Sequence, residues 1–65
     1  MTNSEYIAIA TTDLLAVAER NAFSHLSLEN VRYSYCSTTH DFDCSGDLVD
    51  DHGRPIMKVT SERFL

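Results

Sequence analysis

The segment Asp50-Asp51-His52-Gly53-Arg54-Pro55 constrains this chain more than any other. It lies between two apolar stretches, Leu48-Val49 and Ile56-Met57-Lys58-Val59. Asp and Gly supply turn chemistry, and proline belongs at a strand start or on a sheet edge. The arrangement predicts an antiparallel hairpin. Two further segments alternate in the same two-residue period. Val31-Arg32-Tyr33-Ser34-Tyr35-Cys36 puts Val31, Tyr33 and Tyr35 on one face. His40-Asp41-Phe42-Asp43-Cys44 puts His40, Phe42 and Cys44 on one face and the aspartates on the other. Ser45-Gly46 is expected to interrupt the run. Tyr6-Ile7-Ala8-Ile9-Ala10 reads as a short buried strand, with a helix over residues 4 to 10 as the alternative. Thr12 reads as an N-cap, followed by a helix from Asp13 to about Ser24. On that helix Leu14, Leu15, Ala18, Ala22 and Leu26 share a side, and Val17 and Phe23 fall off it. The expected fold is α+β: residues 1–65 as a single domain, one helix on a small antiparallel sheet, in the order strand-helix-strand-strand-strand.

A chain of 65 residues buries only about 60% of the surface its unfolded form exposes, so its core is small. Its net charge of -5 is unevenly spread. Residues 33 to 53 hold Asp41, Asp43, Asp47, Asp50 and Asp51 and no Lys or Arg, while the five acids and five bases elsewhere cancel. Direct nucleic-acid binding needs clustered Lys and Arg, so it is not expected. A negative field favours a basic partner instead. Met1 to Glu5 has no basic region leading into an apolar one, and no apolar run is long enough to cross a bilayer. The expectation is a cytoplasmic protein without a membrane partner, whose Cys36 and Cys44 stay as thiols.

The aspartates form the leading candidate site. In a strand, residues two apart project together at roughly 6.6 Å. That is comparable to alternate phosphates along one nucleic-acid strand, about 3.4 Å apart per step. A basic groove built for phosphates could accept such an array. The plain alternative is a solvated loop that keeps the protein soluble. The same residues loosely match a calcium loop: Asp41, Asp43 and Ser45 stand at positions 1, 3 and 5 and Gly46 at position 6. His52 stands where the bidentate Glu is required, which weakens that reading. Cys36, His40, Cys44 and His52 interleave in an order unlike structural zinc sites. On a strand, His40 and Cys44 would lie roughly 13 Å apart. No cofactor or metal is expected. Nor is catalysis, since no nucleophile elbow or catalytic signature is present and a short chain has little room for a pocket. Phe23 could anchor a partner beside the acidic face, or fold back under the Ser24-to-Leu28 loop or onto Phe64-Leu65. His25 suits the C-terminal end of the helix dipole.

Two stretches, Tyr6 through Arg20 and the acidic Asp41-to-Asp51 segment, together with small size and acidic balance, carry a resemblance. The chain resembles the small phage-encoded anti-CRISPR proteins, and among them those acting on type I-C systems. The resemblance implies a stoichiometric inhibitor in the host cytoplasm that docks on an RNA-guided surveillance complex. Asp41, Asp43, Asp47, Asp50 and Asp51 would then stand in for DNA phosphates in a basic target or PAM groove. The leading expectation is therefore a charge-mimicking inhibitor whose partner is a nucleic-acid-binding protein complex; the alternative is a calcium-binding domain using Asp41 to Asp47. A monomer is expected, because Pro55, Lys58 and Arg63 discourage edge pairing along Ile56 to Thr60.

Overall fold

A computed structural model describes residues 1–23 and 25–65. The helix end expected at Ser24 lies outside them. The chain forms one helix, α1 (Asn3–Arg20), then three strands, β1 (Ser27–Cys36), β2 (Asp41–Val49) and β3 (Pro55–Phe64). The strands form an antiparallel sheet in the order β1-β2-β3. The α+β class, with one helix on an antiparallel sheet, is as the sequence predicts. The order is helix-strand-strand-strand, without the leading strand.

Tyr6 to Ala10 form the second and third turns of α1 rather than a strand. The cause lies at Thr2, whose side-chain oxygen accepts from the Glu5 backbone N–H while the Glu5 carboxylate accepts from the Thr2 backbone N–H. This capping box starts the helix ten residues before Thr12 and satisfies two otherwise orphaned donors. Thr11 and Thr12 sit inside the helix, and their hydroxyls donate to the carbonyls of Ile7 and Ala8. Once the helix begins at Asn3, the buried residues Ala10, Leu14 and Ala18 recur every four positions. Tyr6 and Val17 pack beside them, so Val17 belongs to the core side. Leu15, expected on the apolar side, is 46% exposed. Ala22 lies beyond the helix with φ of 62°.

The helix covers one face of the sheet. Phe42, Cys44 and Leu48 on β2 and Val59 on β3 are buried under it. Tyr33 and Tyr35 of β1 share that face, as their alternation predicts. The Tyr6 ring stacks at 5.1 Å from Tyr33 and 5.9 Å from Phe42, a cluster that seats the start of the helix. β2 continues through Ser45-Gly46 where a break is expected. Gly46 is a strand residue facing the helix, and a Cβ there would stand 2.8 Å from Leu28 Cδ1 and 3.3 Å from Leu14 Cδ1. Glycine thus permits close approach of the helix; it does not make a turn. The predicted hairpin between β2 and β3 is present, closed by Gly53 at φ of 76° and by Gly53 N–H donating to the Asp50 carbonyl at 3.0 Å.

Candidate functional site

Because α1 covers only one face, the other face of the sheet is open to solvent. Strand alternation decides what it carries. With Phe42, Cys44, Gly46 and Leu48 turned to the helix, Asp41, Asp43, Ser45 and Asp47 fall on the open side of the central strand. Three of the five predicted aspartates therefore form a row, with successive members two and four residues apart. The register supplies their neighbours. Asp43 stands between Ser34 of β1 and Glu62 of β3, and Asp41 between Cys36 and Phe64. Glu62 is a member of the patch that sequence reasoning misses, since it lies nineteen residues from Asp43 in the chain. Counting the register outward from the hairpin turn would set Ser61 there instead, because the extra residue Ile56 between Pro55 and Met57 shifts the register by one.

The row is not uniform. Asp47 pairs in register with Lys58, lies 4.0 Å from Arg32 Nη2, and accepts from Asn30 Nδ2 at 3.2 Å. The segment is free of counter-charges along the chain, but the fold brings two cations to its lower end. Asp41 and Asp43 have no salt bridge among the described residues, and Asp41 accepts only from the Thr39 hydroxyl, at 2.7 Å. The unneutralised part of the face is therefore Asp41, Asp43 and Glu62. A shallow, open hollow of about 650 Å³ runs across it between Arg32, Ser34, Asp43, Ser45, Thr60 and Glu62.

The other predicted residues gather elsewhere. Asp50 Oδ1 accepts from the backbone N–H groups of His52 and Arg54, at 2.9 and 3.0 Å, and so closes the turn. Asp51 is exposed beside it. Phe23 packs against the core, and its N–H donates to the Ala18 carbonyl at 2.8 Å. Phe23, Asp50 and Asp51 meet with His25, Leu26 and Ile56 around a second hollow of about 400 Å³. The candidate residues thus form two groups, one on the open face and one at the hairpin end.

The carboxylates of Asp41 and Asp43 and the Ser45 hydroxyl follow an extended strand and do not curl around one point. Among the described residues no group of three His, Cys, Asp or Glu is gathered as a metal would need. Cys44 lies buried on the helix side while Cys36 is exposed. Burial is the main cause that pushes the Cys44 thiol up, with Asp13 adding to it. Hydrogen bonds from Thr39, its hydroxyl first, pull the Cys36 thiol down. No helix among the described residues is long and apolar enough to cross a membrane. No family model, curated protein or solved structure matches the chain.

Proposed function

We propose that this protein is an inhibitor that binds another protein, presenting the open face of its sheet as a substitute for nucleic-acid phosphates. One observation carries this reading: among the described residues, Asp41, Asp43 and Glu62 sit together on a face that no element covers, with no cation bridging them. A like-charged cross-strand pair such as Asp43 and Glu62 is unfavourable for folding. A folded chain carries such a pair at a cost, which a basic partner would repay on binding. The partner class is a nucleic-acid-binding complex with a basic groove. The resemblance to anti-CRISPR proteins makes the target or PAM groove of a CRISPR surveillance complex, of type I-C in particular, the first to test. The hairpin end, with Asp51 free at its tip and Phe23 at its base, lies at the margin of the proposed contact.

The test is a pull-down with tagged protein from lysate of a bacterium bearing a type I-C system, washed at rising salt. The expected outcome is capture of the surveillance complex at low salt and its release at high salt, because exposed charges are screened. The triple variant D41N/D43N/E62Q should lose capture while keeping its fold by circular dichroism. Capture undiminished by the triple variant would refute charge mimicry.

A further inference from the structure

The third strand is an edge whose outer side is unpaired among the described residues, and its sequence is complementary to itself. β3 is regular from Met57 to Phe64, its one irregularity lying where Leu48 and Val49 meet Met57 and Pro55. The opposite edge, β1, is interrupted by a bulge between Glu29 and Arg32, with Asn30 at φ of 55°. Such a bulge twists an edge away from pairing. We propose that two copies of this chain pair antiparallel through β3, with Thr60 opposite Thr60 at the two-fold axis.

Three observations lead to that register. It sets Lys58 of each copy against Glu62 of the other, which gives two opposite-charge cross-strand pairs on the open face. Shifting the axis to residue 58 or 62 opposes like charges, and shifting it to 59 or 61 leaves both residues without an ionic partner. The same register turns Phe64, which is 76% exposed and the most exposed of the large apolar side chains described, toward the start of the other β3, where Ile56, 54% exposed, is the residue the register shift leaves unmatched. It also keeps Pro55, which has no N–H to donate, beyond the register shift and outside the ladder. Lys58, expected to discourage edge pairing, becomes the residue that selects one register. A two-fold axis through a sheet preserves its faces, so both helices lie on one side and the open faces join into six strands.

The core also leaves room for such a partner. It holds few fully buried side chains, with Phe42, Leu14 and Leu48 the largest. Cys36 and Cys44 sit three register positions apart on opposite faces, so no disulfide can brace the fold. Domains of this size commonly add a staple or an oligomer interface.

Sedimentation velocity of the full chain, from low to high micromolar concentration, tests the proposal. The expected result is a reversible dimer. K58E sets a second carboxylate against Glu62, E62K sets a second ammonium against Lys58, and each should raise the dimer dissociation constant by roughly tenfold, the size of two attractive cross-strand contacts turned repulsive. The double swap K58E/E62K should restore the dimer. E62K also places a cation beside Asp43, so its fold is favoured and its dissociation cannot come from unfolding. A monomer throughout the range overturns the proposal, and so does a dimer indifferent to both single substitutions.

Discussion

Asp50 and Asp51 are adjacent, identical in chemistry and unequal in role. Asp50 uses one carboxylate oxygen to hold the N–H groups of His52 and Arg54, so the turn depends on it. Asp51 is exposed beside it and makes no side-chain hydrogen bond within the described chain. Asp50→Ala should therefore cost about 1–2 kcal/mol of stability, since it frees two backbone donors. Asp51→Ala should stay within about 0.5 kcal/mol of the parent. Urea unfolding of the two variants measures the difference; equal costs would mean the turn is held by Gly53 and the ladder alone. The turn itself was legible, because Asp and Gly between apolar runs have few other uses. Which aspartate holds it was not, since that depends on the backbone path between Asp50 and Arg54. The same limit applies to Asp47, whose neighbours Arg32 and Lys58 arrive from two other strands.

At the scale of elements, the helix shows how one local contact can redirect a longer reading. Thr2 and Thr12 are both plausible caps, and each precedes apolar residues. Only Thr2 has a glutamate three residues on, and that reciprocal pair sets the start. Read from Thr12, the five residues Tyr6 to Ala10 have no helix to join and pass for a strand. β2 was misread in the opposite way: Ser45-Gly46 suggests a break, yet Gly46 is needed where Leu14 and Leu28 press on the strand. Losing the Thr2 hydroxyl in Thr2→Ala should cost about 1 kcal/mol at neutral pH. The effect should depend on pH with a definite sign. The Thr2 backbone N–H, then its hydroxyl, holds the Glu5 carboxyl below its usual range. A depressed carboxyl contributes stability above its unfolded pKa of about 4.3 and loses that contribution as pH falls through its folded value. The gap in melting temperature between parent and Thr2→Ala should therefore narrow below about pH 4. A gap unchanged down to pH 3 would mean that the Thr2 hydroxyl acts without the Glu5 carboxylate.

For the molecule as a whole, the sheet turns a linear cluster of acids into a surface with two halves. The alternation of β2 made the pair Asp41 and Asp43 legible in the sequence; Asp47, expected on the next strand, joins their row because β2 runs on through Ser45-Gly46. The register then splits it, setting Lys58 and Arg32 beside Asp47 and Glu62 beside Asp43. Those pairings span long loops of sequence and follow only once the hairpin is in register, which is why Glu62 was not foreseen. If the acidic half binds a partner, the split makes stability and binding pull in opposite directions. If the acidic half were there only for solubility, replacing its charges would leave partner capture unchanged. If it serves binding, the fold carries a repulsion that substitution relieves. As a monomer, below the dimer dissociation constant, D43N/E62Q should raise stability by about 0.2–1 kcal/mol, because two like charges directly opposite across strands repel. The gain should shrink as salt rises and screens the pair. The same variant should capture less of its partner at low salt. A face selected for stability would show no such opposition, so thermal melts and pull-downs on one pair of substitutions separate the two roles. Higher stability together with weaker capture supports the binding face, and stability that falls with charge removal would mean Asp43 and Glu62 are held by contacts within the fold.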